Sequence, residues 1–358
     1  MNKKIIFQMN AMPVQQNRLF DTAGDAIKCP VGDLRLMQDS LTGIVCNDAF
    51  MPELMSYDEN YQNEQGYSRV FEQHLHEVAD IVRRHFSGKS ILEVGCGKGR
   101  FLDLLKKQGF CITGIDPAYE GNDPDIVRES FSPSLGMTGE AVILRHVLEH
   151  IHQPMKFLTS IAEANGGKGL VYIEVPCLEW IRDNRAWYDL FYEHVNYFRR
   201  SDFFRLFDRV IDSGTFFGGQ YLYVVADIAS LRRSPMEDAR TFHFPPDFLA
   251  GIDRAVTLMR NGKNKKYAIW GGASKGVIFA LHLLRRGAIL PDLVIDINPF
   301  KQRKYMPVTG MRVSSPEEGM SGLTPDDVIL VMNSNYFDEI KESSGNRFLY
   351  YRVDQNEF

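Results

Sequence analysis

The distribution of apolar and polar residues predicts an α/β protein with a parallel sheet near the middle of the chain. The clearest pattern lies in residues 90–116. Its apolar run at 91–94 is typical of a strand buried in a parallel sheet, and three glycines follow at once. Apolar residues at 101–105 then repeat at helical spacing, and Ile112 to Ile115 form a second short strand pattern. The stretch therefore predicts a strand, a glycine turn, a helix and a second strand.

Similar patterns on both sides extend this unit. An apolar stripe from Ser68 to Phe86 predicts a preceding helix, on which we expect His74 and His76 to be solvated. Residues 267–284 repeat the order of strand, glycine turn and helix, which predicts a second sheet. Further strands of the central sheet are predicted at 126–127, 141–144, 170–175 and in the residues leading to 226.

These patterns divide the chain into several predicted domains. Its 358 residues exceed the length of one typical domain. The predicted units are a small N-terminal domain (1–66), a Rossmann-like domain (67–227), a helical linker (228–262) and a second Rossmann-like domain (263–358).

The glycine turn after the first central strand indicates a nucleotide-type ligand. Gly95, Gly97 and Gly99 are spaced Gly-x-Gly-x-Gly, with Glu93 just before them. Glycine lets a backbone turn sharply and approach a ligand closely. A nicotinamide-binding turn has the spacing Gly-x-Gly-x-x-Gly, so an oxidoreductase is disfavoured. Asp116 ends the second strand, where a carboxylate can accept hydrogen bonds from the hydroxyls of a ribose.

This combination resembles the first motif of the class I S-adenosylmethionine-dependent methyltransferases. The resemblance implies S-adenosylmethionine as cofactor and a Rossmann-like fold around it. It also implies that the cofactor is held by the residues of this motif and by others near it. The residues that we expect to bind it are Glu93, Gly95, Gly97, Gly99, Asp116, Pro117, Arg145, His146, Tyr61 and Gln62.

Composition narrows the possible partners. The net charge is −5 and the pI is about 6.0, which argues against a nucleic-acid binder. The five cysteines are odd in number and include no close pair, which fits a reducing cytoplasm. No stretch of the sequence resembles a membrane span. A small-molecule acceptor is therefore expected, and the oligomeric state stays open.

Titratable residues cluster in two places that suit catalysis. Arg145, His146 and Glu149–His150 follow the fourth strand, at the edge where ligands of open α/β sheets bind. Glu193–His194 lies among aromatic residues, where burying two polar groups is costly without a purpose. The spacing of the histidines raises the possibility of a metal site, but we predict none because no further ligand cluster is present.

The second cluster resembles the Glu-His segment of the three-domain sugar C-methyltransferases. That resemblance implies catalytic roles for His194, Glu193, His150 and Tyr192. The family commonly has a tyrosine three residues before the histidine, but this chain has Phe191 there. The N-terminal zinc cysteines of the family are also missing, since residues 39–43 read Asp-Ser-Leu-Thr-Gly where a Cys-x-x-Cys would stand. A zinc site is therefore not expected.

The predicted function is methyl transfer to carbon of a keto nucleotide sugar. In this reaction, a base such as His194 removes a proton beside the ketone, and His150 or Tyr192 stabilises the resulting enolate. Methylation of oxygen or nitrogen in another small metabolite remains open. A neutral histidine can remove a proton beside a ketone, and it can equally remove one from a hydroxyl group. A non-catalytic S-adenosylmethionine-binding protein is an alternative of a different class.

Overall fold

The computed structural model describes residues 5–55, 61, 65–236, 240–262, 264–355 and 357. The described strands are β1 (Ile5–Pro13), β2 (Val31–Gln38), β3 (Val45–Asn47), β4 (Ser90–Val94), β5 (Cys111–Ile115), β6 (Ile126–Val127), β7 (Ala141–Arg145), β8 (Leu170–Pro176), β9 (Asn196–Tyr197), β10 (Val210–Phe216), β11 (Tyr221–Asp227), β12 (Tyr267–Trp270), β13 (Leu293–Ile295), β14 (Val313–Ser314), β15 (Val328–Val331) and β16 (Leu349–Arg352).

The described helices accompany these strands through the whole chain. They are α1 (Ala23–Ile27), α2 (Arg69–Phe86), α3 (Arg100–Lys107), α4 (Pro154–Ala164), α5 (Leu178–Asp183), α6 (Arg200–Leu206), α7 (Ala250–Asn261), α8 (Lys275–Gly287), α9 (Pro316–Ser321) and α10 (Phe337–Ser343). Of the helices in the described ranges, none is both long and apolar enough to cross a lipid bilayer.

A seven-stranded sheet forms the centre of the molecule, with the strand order β10-β11-β8-β7-β4-β5-β6. Neighbouring strands from β6 to β8 are parallel, whereas β11 runs antiparallel to both β8 and β10. The strand order reverses direction between β4 and β7, so a crevice opens at the carboxyl ends of these two strands. The predicted α/β fold class is confirmed, and this crevice is the place expected for a ligand.

Helix α2 buries the apolar face that its sequence predicts. The Ser68 hydroxyl caps its first turn by accepting a hydrogen bond from the Phe71 amide at 3.3 Å. The expectation for His74 was wrong, because this side chain is buried and its Nε2 lies 2.9 Å from a Glu174 oxygen. His74 is three residues from Phe71 and four from Val78, so helical geometry places all three on one face. His76 is exposed as expected.

The first sheet is completed by a strand from far along the chain. Its order is β1-β2-β3-β9, and Val45 of β3 pairs with Tyr197 of β9. Residues 39–43, which lack the zinc cysteines of the resembled family, form a turn closed by Asp39. One oxygen of Asp39 accepts hydrogen bonds from the Thr42 amide at 2.7 Å and the Thr42 hydroxyl at 2.8 Å. This turn is therefore held by a carboxylate.

The last sheet has five parallel strands in the order β14-β13-β12-β15-β16. Its glycine turn follows β12, and the Gly272 amide donates to Asp296 at 2.8 Å. The same turn contacts the N-terminal segment, because the Ser274 hydroxyl donates to Asn17 at 2.7 Å. The first and last parts of the chain also share one hydrophobic core.

A buried ionic cluster connects the N-terminal sheet to the central region. Asp202 has no exposed surface and accepts hydrogen bonds from the Arg199 backbone at 2.7 Å and side chain at 2.8 Å, and from Arg205. The two arginines in turn donate to backbone oxygens beside the Asp39 turn: Arg199 to Gly43 at 2.7 Å and Arg205 to Thr42. Asp202 therefore balances the charge of both arginines at this contact.

Replacing Asp202 by Ala should lower the free energy of unfolding by about 3–5 kcal/mol, because two buried cations lose their counterion. Asp208→Ala is the matched control, since Asp208 pairs with Arg232 but its side chain is 61% exposed. We expect the control to change stability by less than about 0.5 kcal/mol. Urea denaturation measures both, and equal losses in the two variants would contradict the buried role of Asp202.

Candidate active site

The glycine turn lies at the carboxyl end of β4 and approaches the crevice with its backbone. Gly95, Gly97 and Gly99 all have positive φ, at 77°, 56° and 79°. A side chain at Gly95 would come within 2.3 Å of Val147, whereas among the described atoms none lies within 4 Å of a Cβ at Gly97. The turn is therefore packed on one side and open at Gly97, as a close-fitting ligand requires.

Asp116 lies beside this turn, at the end of β5. One of its oxygens accepts from the Gly97 amide at 2.7 Å, and the other accepts from the Ala118 amide at 2.8 Å. A carboxylate offers about four lone-pair positions, so acceptor capacity remains for the two hydroxyls of a ribose. Pro117 follows Asp116 and is exposed. This arrangement fits the adenosine part of S-adenosylmethionine.

Glu93 lies below the turn and is almost completely buried. Burial raises its pKa to about 7, although the nearby Arg145 charge opposes the rise. Its Oε2 atom has no hydrogen-bond partner within the described part of the chain. Glu93 is thus placed to accept a hydrogen bond from a cofactor.

Glu174, at the end of β8, is the central anion of the site, and the sequence did not predict it. Its carboxylate is fully buried and receives hydrogen bonds from the Tyr172 hydroxyl at 2.7 Å and from His74 at 2.9 Å. Arg145 contacts it at 3.3 Å and stacks on Phe101. Burial alone would raise the pKa of Glu174, but Arg145 and His74 outweigh burial and hold it well below its usual value. Glu174 is therefore ionised.

His146 is held between two carboxylates. Its Nδ1 lies 3.3 Å from Glu149, and its Nε2 lies 3.1 Å from Glu174. Burial alone would lower the pKa of His146, but the two carboxylates raise it to about 9. The side chain is therefore a cation at neutral pH. Both Arg145 and His146 face Glu174, and cofactor binding by these two residues stays a prediction.

His150 and His194 form the second part of the site, with ring centroids 4.9 Å apart. Nδ1 of His150 lies 3.0 Å from the backbone oxygen of Glu193. A carbonyl oxygen only accepts, so this contact assigns the proton to Nδ1 and leaves a lone pair on Nε2. Nδ1 of His194 has no hydrogen-bond partner among the residues that the structure describes. Burial, and then His150 and His146, hold the pKa of His194 well below its usual value.

Glu193 adds a carboxylic acid to this pair. Its side chain has no exposed surface, and burial raises its pKa to about 8. The Tyr61 hydroxyl, the Gln16 amide and the Asn17 side chain lie near enough to oppose this rise. Across the described residues, neither carboxyl oxygen has a well-aligned hydrogen bond. Glu193 is therefore mostly protonated at neutral pH and able to donate a hydrogen bond.

The predicted tyrosines lie in different places. Tyr61 is beside Glu193, and its hydroxyl accepts from Asn17 at 3.3 Å. The Tyr192 hydroxyl instead accepts from the Met51 amide at 2.9 Å, at the N-terminal sheet. The structure therefore does not bring the Tyr192 hydroxyl to His194. The predicted cofactor residue Gln62 lies outside the described residues.

A metal ion has one candidate place in the described ranges. Donor atoms of Glu149, His150 and His194 lie within 4.8 Å of one another. Histidine nitrogen and carboxylate oxygen suit several divalent metals. The absence of a metal from the reaction remains a prediction.

Comparison with known proteins agrees with this geometry. Residues 65–210 match the family described as "Methyltransferase domain". The chain is 24% identical over 326 residues to the C-methyltransferase NovU of Streptomyces niveus, with 77% of this chain and 76% of NovU covered. It is 31% identical over 97 residues to a mitochondrial ubiquinone biosynthesis O-methyltransferase of Schizosaccharomyces pombe, which covers 23% of this chain and 35% of that enzyme.

Solved structures of methyltransferases also match part of the chain. One is an S-adenosylmethionine-dependent methyltransferase from Archaeoglobus fulgidus, with 18% identity, a TM-score of 0.32 and coverage of 44% of this chain and 98% of that one. Another is the plantazolicin methyltransferase BpumL in complex with SAH, with 15% identity, a TM-score of 0.35 and coverage of 45% and 86%. The matched domain and the relatives support an S-adenosylmethionine-dependent methyltransferase of class I, with its methyltransferase domain in residues 65–210.

Proposed function

We propose that this methyltransferase methylates a carbon atom of a keto nucleotide sugar. The observation that carries the proposal is the neutral, half-buried imidazole of His194 beside the protonated Glu193. A base and an acid in one small site suit the formation of an enolate from a ketone. The similarity to NovU, a C-methyltransferase, supports carbon as the acceptor atom.

The cofactor is held by the crevice between β4 and β7 in this proposal. Gly95, Gly97 and Gly99 pack against it, and Asp116 accepts hydrogen bonds from its ribose. When bound, S-adenosylmethionine supplies a methyl group on a positively charged sulfur. The protein has to position the acceptor in line with that group and remove a proton.

His194 acts as the base. Its pKa lies below the usual value, so the imidazole is neutral at physiological pH and can accept the proton beside the ketone. Neutral His150 carries its proton on Nδ1, where the Glu193 backbone oxygen accepts it. The unprotonated Nε2 of His150 therefore cannot donate a hydrogen bond to the enolate oxygen. In our proposal, His150 orients the segment that contains His194.

Glu193 stabilises the enolate by donating a hydrogen bond. A carboxylic acid kept neutral by burial can place its proton where negative charge develops. This role replaces the one that the sequence suggested for His150 or Tyr192. The same His194 could remove a hydroxyl proton, so methylation of oxygen remains the second candidate.

A cytoplasmic location, expected from five free cysteines, is part of this proposal.

The first test is transfer of labelled methyl from S-adenosylmethionine to 4-keto nucleotide sugars, their reduced forms and a metabolite extract. We expect NMR to find the label on carbon, and we expect EDTA not to change its amount. His194→Ala should reduce transfer at least about 100-fold. His152→Ala is the matched control, because His152 is exposed and should be dispensable.

Label on oxygen or nitrogen would rule out the enolate mechanism but keep the cofactor site. Equal transfer by wild type and His194→Ala would contradict the role of His194. No label, with S-adenosylmethionine still bound, would favour the non-catalytic alternative. Loss of transfer in EDTA would point to the Glu149, His150 and His194 cluster as a metal site.

The pH profile tests Glu193 separately. We expect kcat to rise through the lowered pKa of His194 and to fall near pH 8, where Glu193 loses its proton. Glu193→Gln keeps a hydrogen-bond donor that does not ionise in this range. The variant should therefore retain part of the activity and lose the fall near pH 8. An unchanged alkaline limb in this variant would assign the limb to another group.

Gly97→Ala should weaken the binding of S-adenosylhomocysteine at least about tenfold, because the new methyl group enters the space of the ligand. Gly109→Ala is the matched control. Gly109 has a similar positive φ of 86°, and no described atom lies within 4 Å of its added Cβ. Both variants carry backbone strain, but only Gly97 faces the crevice. Calorimetric titration compares them, and equal affinities would contradict the assigned position of the cofactor.

A further inference from the structure

Gln16 is a buried amide without a visible role in folding. Its side chain has no exposed surface, and within the described residues neither its Oε1 nor its Nε2 has a hydrogen-bond partner. A buried amide without hydrogen-bond partners is unfavourable, so native proteins rarely keep one. The methyl-transfer mechanism described above does not use it.

The backbone of Gln16 is fixed at the meeting point of three parts of the chain. Its carbonyl oxygen accepts from the Ser274 amide, in the glycine turn after β12, at 3.1 Å. Its own amide lies close to the Glu193 carboxyl group. Gln16 therefore connects the N-terminal segment, the segment that contains Glu193 and His194, and the last sheet.

The neighbouring Asn17 belongs to a line of hydrogen bonds through the same place. Ser274 donates to Asn17 at 2.7 Å, and Asn17 donates to the Tyr61 hydroxyl at 3.3 Å. Tyr61 is in turn beside Glu193. These contacts use the polar groups around Gln16, while its side-chain amide has no hydrogen-bond partner among the described residues. A fixed backbone and an amide with unused hydrogen-bonding groups are what a recognition residue needs.

We propose that the Gln16 side-chain amide binds two neighbouring oxygen atoms of the acceptor. Its carbonyl oxygen accepts from one hydroxyl, and its NH₂ group donates to the adjacent oxygen, which is the pattern presented by adjacent hydroxyls of a sugar ring. This inference rests on the proposed function, and it names a residue that selects the acceptor.

The unpaired state explains how Gln16 can select. The amide carries the cost of burial until a matching acceptor arrives, so the correct acceptor recovers that cost on binding. An analogue that lacks the two oxygens leaves the amide unpaired and binds more weakly. Gln16 is a positioning and specificity residue, since His194 and Glu193 carry the chemistry.

The test compares Gln16→Met with Gln8→Met. Methionine has a similar length and no hydrogen-bonding amide, and Gln8 is an exposed glutamine on β1, the strand that precedes Gln16. Binding of thymidine diphosphate glucose is measured by calorimetry in the presence of S-adenosylhomocysteine. We expect Gln16→Met to weaken this binding about tenfold, and Gln8→Met to bind as the wild type does.

A second measurement separates recognition from folding. Without acceptor, Gln16→Met should have a higher Tm than the wild type, because it removes an unpaired buried amide. A lower Tm would show that Gln16 supports the fold and would overturn the proposal. An unchanged affinity together with a higher Tm would also overturn it. S-adenosylhomocysteine affinity should be equal in all three proteins.

Failure of the proposed acceptor class gives a different result. In that case the wild type binds no nucleotide sugar, and the labelling panel supplies the acceptor for the comparison. Gln16→Met should then raise the KM of that acceptor about tenfold with little change in kcat. A loss in kcat alone would contradict a role in recognition.

Discussion

The arrangement of the site depends on one buried anion, Glu174. An isolated carboxylate in a protein interior is prohibitively unfavourable, so Glu174 requires charged and hydrogen-bonding partners around it. Glu174 is neutralised by Arg145 from β7 and hydrogen-bonded by His74 from α2, while the following His146 adds a second positive charge. All these partners must be in place together. The carboxylate therefore fixes the end of β7, and with it the segment that continues to His150.

This anion also separates the protonation states of its neighbours. His146 between two carboxylates is charged, whereas His194 stays neutral because burial, the largest effect on its pKa, lowers that pKa. Glu174 is ionised by its cationic partners, but Glu193, without such partners in the described residues, keeps its proton to about pH 8. One small region thus holds a base and an acid at the same pH.

The sequence predicted what is local and missed what is distant. The glycine turn, Glu93 and Asp116 are readable because they fall within residues 90–116. Glu174 was missed because it lies 100 residues from His74, and the place of His74 on the apolar stripe of α2 was the one signal in the sequence. The first sheet could not be completed from residues 1–66, since its last strand is Asn196–Tyr197.

The cofactor and the acceptor show the same contrast between residues that are close in the sequence and residues that are distant. The motif of the cofactor side, from Glu93 to Asp116, lies in one contiguous stretch, so the identity of the cofactor follows from it. In our proposals the acceptor side combines Gln16, Glu193 and Ser274, which are brought together only by tertiary structure. A substitution at Gln16 can change acceptor binding while the turn at Gly97 stays intact. Acceptor choice can therefore vary on a constant cofactor site, and only the folded arrangement reveals it.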